Sequence, residues 1–191
     1  TTTISQEQYT LAKERINSAG LSDKIEIIIK DYRDLEGEYD KIVSIEMMEA
    51  LGHEYVPLFV EKCNSLLKDG GKMCWQCITI PDEIFQAYLD NNNYIKKYIF
   101  PGGELISVGQ LQDVISNHNK LHLDDIERIG LDYAKTLQAW AKNLKAHKEE
   151  VLKLGFDEVF FKKWLYYFEY CEVGFATGYL DDAQVLISKD K

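Results

Sequence analysis

Residues 41–80 read KIVSIEMMEALGHEYVPLFVEKCNSLLKDGGKMCWQCITI. Two apolar runs, Lys41–Glu46 and Gly71–Ile80, flank a segment of helical period, Tyr55–Leu67. Strand, helix and strand in that order form a crossover unit, and such units build parallel sheets. Asp69-Gly70-Gly71 reads as the turn closing the helix, and Pro81 ends the second strand.

Upstream the alternation continues. Ser5 and Gln8 have the spacing of a capping box, Tyr9, Leu11, Ala12 and Ile16 supply an apolar stripe, and Gly20 stops that helix. Lys24–Lys30 (KIEIIIK) is a β-branched run and predicts a strand, followed by a polar loop over Asp31–Tyr39. The chain therefore opens on a helix with no strand before it. Such helices cross over from a preceding strand, so at least one further strand is expected upstream of Thr1.

Downstream the pattern changes. Pro81–Gly130 mixes short helices with a Phe100-Pro101-Gly102-Gly103 turn, and Leu121–Ile129 predicts a strand. Helices are expected over Tyr133–Leu154 and Asp157–Gly174, the second carrying Phe160, Phe161, Trp164, Tyr166, Tyr167, Phe168 and Tyr170. A last strand covers Ala183–Ser188. The helical block lies between strands and reads as an insert, with the aromatic helix serving either as core or as the wall of an apolar pocket.

Bulk properties narrow the function. The 191 residues are 46% hydrophobic and 28% charged, a globular composition that excludes a disordered chain. A net charge of -10 excludes nucleic acid as a general partner, because phosphates need Lys and Arg. No apolar run approaches the ~20 residues of a transmembrane helix. Four cysteines without disulfide spacing suit a reducing compartment, and a cytoplasmic location is expected. In Cys74-Trp75-Gln76-Cys77 the two thiols of a strand point to opposite faces, so neither redox nor zinc chemistry is expected, and no metal site is read elsewhere.

Several segments together resemble the cyclopropane fatty-acyl-phospholipid synthases, a family that also contains mycolic-acid cyclopropane synthases. They are Lys30-Asp31-Tyr32-Arg33-Asp34-Leu35, Tyr39–Met47, Glu49-Ala50-Leu51-Gly52-His53-Glu54-Tyr55, Lys97–Gly103, Asp132–Leu137 with Ala139-Trp140, and Gly155-Phe156-Asp157. The resemblance runs in order from Thr3 to Ile187. It implies a Rossmann-like S-adenosylmethionine-dependent methyltransferase sheet with a helical insert over an acyl pocket. Residues 1–191 would be one partial catalytic domain, with residues 81–179 including the cover. The implied reaction passes the cofactor's methyl group to a cis double bond of a phospholipid acyl chain; a proton then leaves and a ring closes. Implied partners are S-adenosyl-L-methionine, a bicarbonate ion, and unsaturated phospholipid met peripherally at a membrane surface; a homodimer is a further expectation.

The family's glycine-rich loop lies between its first strand and first helix. No strand–GxG–helix unit occurs in residues 1–191, so that loop is expected upstream, as is a cysteine segment of the family's anion site. The resemblance places Thr3, Ile4 and Gln8 along the ribose and adenine, and Tyr32 and Arg33 flanking the adenine. Without it, Gln8 reads as a helix cap and Tyr32 as a loop aromatic. The catalytic candidates are Glu49, Gln76, Ile78 and Tyr133, which the resemblance assigns to the bicarbonate site. Glu46 is a rival carboxylate that ends the strand itself, and either acid also reads as a residue favoured near a helix N-terminus. Gln76 and Ile78 share one face of their strand. Gln76 stands where the family often has His, so it can hold hydrogen bonds but cannot titrate. Tyr133 also reads as an amphipathic-helix residue. Two alternatives stay open: a methyltransferase acting on an amine or another lipid, and a fragment that folds without cofactor.

Overall fold

A computed structural model describes all of residues 1–191. Strand β1 (Thr2–Thr3) leads to helix α1 (Gln6–Ser18), then β2 (Ile28–Ile29) and β3 (Tyr39–Ile45). Helix α2 (Val56–Leu66) runs directly into β4 (Leu67–Thr79). Helices α3 (Asp82–Asp90), α4 (Tyr94–Tyr98) and α5 (Val108–Ser116) precede β5 (Leu121–Arg128). Helices α6 (Gly130–Ala146), α7 (Lys148–Lys153) and α8 (Glu158–Ala176) precede β6 (Asp181–Lys189).

β3, β4, β6 and β5 form one sheet in that order. β3 and β4 are parallel, as the crossover predicts, while β6 runs antiparallel to both its neighbours. β1 and β2 form a separate parallel pair. β3 is thus an edge strand, and on it Val43 and Ile45 are 68% and 56% exposed.

Alternation along β4 and β6 fixes two faces. Met73, Trp75, Cys77, Ala183, Val185 and Ile187 are buried with Val56, Phe59, Val60 and Cys63 of α2 in the main core. Gln76, Ile78, Asp182 and Gln184 take the opposite face, since antiparallel register pairs Gln76 with Gln184 and Ile78 with Asp182. That second face is covered by α6 and α8, whose own core joins Ala134, Leu137, Cys171, Phe175 and Leu180 and packs on Ile78.

Five local expectations change. The chain does not open directly on a helix: a two-residue strand, Thr2–Thr3, precedes α1 and pairs in parallel with Ile28–Ile29. Ser5 caps α1 by accepting from the Gln8 N–H at 3.2 Å, but the reciprocal half of the capping box is missing. The Gln8 carboxamide instead accepts from the Thr3 hydroxyl at 2.6 Å, and Thr3 Oγ1 takes the Ser5 N–H at 3.1 Å. Only Ile28–Ile29 of the Lys24–Lys30 run is strand, because its one partner, β1, is two residues long. The expected Asp69-Gly70-Gly71 turn is absorbed into β4 as a bulge, with Gly70 at φ 78° donating to the Asp190 carbonyl at 2.9 Å. The helix expected over Tyr133–Leu154 breaks at His147 (φ -108°, ψ 23°), giving α6 and α7.

Candidate functional site

Each of the four catalytic candidates follows from its element. Glu49 lies in a short 3-10 turn, Met48–Ala50, just past the carboxyl end of β3. Gln76 and Ile78 share the covered face of β4, and Tyr133 sits in the first turn of α6. The structure brings them together. Ile78 donates its backbone N–H to Glu49 Oε1 at 2.5 Å. The other Glu49 oxygen, Oε2, is buried without a hydrogen-bond partner. Burial pushes the Glu49 carboxyl up to about 7; the Ile78 hydrogen bond opposes this, and the Glu46 charge adds to it. Tyr133 meets Phe175 edge-on at 4.8 Å. Its hydroxyl is driven well above the usual tyrosine range, first by burial and then by the charges of Glu46 and Asp182.

Two further carboxylates complete the site. Glu46, the rival of the sequence reading, ends β3 with φ 53°, a left-handed conformation that ordinary residues rarely adopt. Its N–H donates to the Gln76 carbonyl at 2.9 Å. Asp182 at the start of β6 is fully buried, and sequence reasoning missed it. Gln76 bridges the two acids, giving its side-chain amide to Glu46 Oε1 at 2.8 Å and to Asp182 Oδ2 at 3.0 Å. Gln184 donates to Gln76 Oε1 at 3.0 Å. Burial, then the Glu46 charge, pushes the Asp182 carboxyl up to about 7. The signal lay in the alternation of β6: Asp182 and Gln184 fall on the face opposite Ala183, Val185 and Ile187, where Gln76 also lies.

Glu46, Glu49, Ile78 and Tyr133 floor a cavity of about 1570 Å³ between the sheet, α3, α4, α6 and α8. Its walls are largely apolar and aromatic, including Ile80, Tyr88, Phe100, Trp164, Tyr167 and Phe168, while Glu46, Glu49 and Tyr133 reach it from the floor. Phe100 meets Tyr167 and Trp164 edge-on at 5.7 and 6.4 Å, tying the Phe-Pro-Gly-Gly turn to the aromatic helix. That turn is also latched to the Glu49 segment. The Glu104 N–H donates to the Glu49 carbonyl at 2.9 Å, and the Glu104 carboxylate takes the His53 N–H at 3.0 Å and lies 2.7 Å from His53 Nδ1.

The five residues expected around the cofactor lie apart from this cavity, on the β1–β2 unit and its loops. Thr3, Ile4 and Gln8 follow the carboxyl end of β1, and Tyr32 and Arg33 follow that of β2. Tyr32 packs edge-on against Phe59 of α2 at 5.6 Å, anchoring the unit to the main core. Arg33 pairs with Asp31 at 2.8 Å, and this partner holds the Asp31 carboxyl down at about 2. A hydroxyl, a carboxamide, an aromatic face and a guanidinium are chemically fit for an adenosine: donors for the ribose, a surface for the base.

The profile of the family described as "Mycolic acid cyclopropane synthetase" matches residues 1–185. Tuberculostearic acid methyltransferase UfaA1 of Mycobacterium tuberculosis is 39% identical over 179 residues, 94% of this chain and 42% of the relative. The cyclopropane-fatty-acyl-phospholipid synthase of Escherichia coli K12 is 32% identical over 187 residues, 98% of this chain and 46% of the relative. The chain thus spans about half the length of these curated relatives. The crystal structure of mycolic acid cyclopropane synthase CmaA1 complexed with SAH and CTAB superposes with a TM-score of 0.86 at 27% identity, over 98% of this chain and 68% of that one. A Galdieria sulphuraria structure described as a "putative sarcosine dimethylglycine methyltransferase" shares the fold at 16% identity and a TM-score of 0.81. The fold is the Rossmann-like methyltransferase fold, represented here by part of its sheet.

Proposed function

Because this chain belongs to the mycolic acid cyclopropane synthetase family, we propose that the complete protein transfers a one-carbon unit from S-adenosylmethionine to the cis double bond of an unsaturated phospholipid acyl chain. One observation carries the reading: a large apolar cavity closes on a floor of carboxylates. An acyl chain suits the walls, and a positive charge developing at its double bond suits the floor. Residues 1–191 supply one partial catalytic domain, with the helical cover falling within residues 81–179.

The bound cofactor supplies the electrophilic methyl group, and Thr3, Ile4, Gln8, Tyr32 and Arg33 are the residues that would hold it. The remaining work belongs to the cavity. Its aromatic walls orient the acyl chain and exclude water, which strengthens every charge interaction at the floor. Glu49, locked by the Ile78 N–H, presents a fixed carboxyl group to the developing cation. The acceptor reaches the cavity from a membrane surface; no helix of residues 1–191 is long and apolar enough to cross a bilayer.

Two products fit the same first step and the same loss of a proton, a cyclopropane ring and a methyl- or methylene-branched chain that keeps one double bond. The 39% identity to a tuberculostearic acid methyltransferase favours giving the branch equal weight. The test is incubation of the complete protein with S-adenosylmethionine and vesicles of unsaturated phospholipid, followed by mass spectrometry of the released acyl chains. Acyl chains one methylene heavier support the reading, and fragmentation separates ring from branch. Unchanged acyl chains alongside a methylated amine from an acceptor panel would overturn it.

A further inference from the structure

The resemblance implies a bicarbonate ion held by Glu49, Gln76, Ile78 and Tyr133 as the proton acceptor. Here the donors such an ion needs are already committed. Gln76 gives its amide to Glu46 and Asp182 at 2.8 and 3.0 Å, and its carbonyl accepts from Gln184. The Ile78 N–H is taken by Glu49 at 2.5 Å. An ion placed here would find the Tyr133 hydroxyl and three carboxyl groups: Glu46 and Glu49 on the cavity surface, Asp182 behind them. With its donors committed and carboxyl oxygens facing it, an anion would gain few hydrogen bonds to offset its desolvation there. The site therefore does not fit bicarbonate.

What it holds instead is a proton acceptor of its own. We propose that Glu46, positioned by Asp182 through Gln76, takes the proton that a bound bicarbonate would otherwise take. This rests on the proposed function. Glu46 is thrown onto the cavity surface by its left-handed backbone and has one oxygen fixed by Gln76. Asp182 is 0% exposed and its Oδ1 has no hydrogen-bond partner, while its Oδ2 and Glu46 Oε1 are drawn together on the one Gln76 amide nitrogen. A buried oxygen left unpartnered beside another carboxylate is costly unless a proton sits between the two acids. Asp182 then supplies that proton to the shared hydrogen bond and leaves the Glu46 carboxylate as the base. In the step itself a C–H bond of the newly added methyl group breaks. Its electron pair closes the ring on the neighbouring cationic carbon, and the proton forms an O–H bond on Glu46. One cation and one carboxylate become two neutral groups, so no further reactant is required. Glu46 is the catalytic residue, and Asp182 is a positioning residue.

Two readouts test this separately from the parent reading. The first needs no turnover: titration of the protein with ¹³C-bicarbonate, followed by NMR line broadening. No saturable binding is expected, and saturable broadening that Glu49→Gln abolishes would overturn the proposal. The second is turnover on unsaturated phospholipid in carbon-dioxide-free buffer, where added bicarbonate should change the rate by less than about twofold while Glu46→Gln lowers kcat by about a hundredfold. Asp182→Asn should lower kcat by roughly tenfold with KM for lipid unchanged, a split that a merely structural defect does not produce. Glu46→Gly, which suits the left-handed backbone, covers the case in which Glu46→Gln fails to fold. A Glu46→Gly protein with undiminished kcat, or a wild type dependent on bicarbonate, refutes the proposal. If no variant or buffer yields lipid turnover, the proposed function falls, and the bicarbonate titration still decides whether the floor is an anion site.

Discussion

Residues 1–47 and residues 48–191 are built on different physics. All 30 buried residues lie at Met48 or beyond. The first region has its hydrogen bonds in place, with a capped thirteen-residue helix and a parallel strand pair. Yet it leaves Ile4, Leu11, Ile29, Val43 and Ile45 between 47% and 79% exposed. The second region encloses two cores and the cavity between sheet and cover. All five expected cofactor contacts fall in the first region and all four catalytic candidates in the second. Local hydrogen bonding shapes a helix or a strand, but apolar burial is what gives a region its own stability. The acceptor half should therefore hold its geometry in the isolated chain, while the cofactor half opens easily.

The strongest way to break this contrast is to hollow out the core. Trp75 is fully buried beneath Phe59, and Trp75→Ala should cost about 3–5 kcal/mol. Leu11→Ala, on an exposed helix face, should stay within about 0.5 kcal/mol. Urea unfolding of both variants measures the difference, and equal costs would abolish the distinction between regions.

Next is catalysis. Glu49→Gln should lower kcat of the complete protein by about a hundredfold with little change in affinity for S-adenosylmethionine. Arg33→Ala should instead weaken cofactor affinity and leave saturated turnover within a few fold of wild type. Steady-state kinetics with each substrate varied in turn separates the two.

The pH response sharpens the contrast through its sign. Glu49 and Asp182 have folded-state values raised to about 7, so the native state holds protons that the unfolded chain has already lost. Their contribution is complete below about pH 4 and disappears as pH rises through 7. Asp31, lowered to about 2 by Arg33, behaves oppositely: its contribution is present above about pH 4 and is lost as pH falls toward 2. Denaturation midpoints measured from pH 5 to 8 should fall with rising pH in the wild type, and the slope should flatten in Asp182→Asn. An unchanged slope would place its origin outside the cavity.

The smallest effect compares two caps. Ser107 caps α5 by accepting from the Gln110 N–H at 3.1 Å and is 2% exposed. Ser107→Ala should cost about 1–2 kcal/mol of global stability. Ser5→Ala removes the same type of bond from α1, but should appear only as faster amide exchange in that helix.

Much of the sheet was legible because β3, α2 and β4 each carry one clear period. The boundaries that failed did so where tertiary partners decide. Lys24–Lys30 has the composition of a strand but a two-residue partner, and Asp69-Gly70-Gly71 has the composition of a turn but a neighbour, Asp190, to pair with. Glu49, Gln76, Ile78 and Tyr133 could be named from the resemblance. Asp182 could not, since an acid beginning a strand reads as solvated until the register sets it opposite Ile78. Nor could the commitment of Gln76, which depends on side chains 30 and 106 positions away.

The left-handed backbone at Glu46 has an evolutionary consequence. A non-glycine residue there costs about 1–2 kcal/mol relative to one free to adopt that conformation. Selection of variants for heat resistance alone should therefore repeatedly replace Glu46 with glycine and return hardier, slower proteins. A library sorted on thermal tolerance and then assayed for turnover would expose this position as one where durability and chemistry pull in opposite directions.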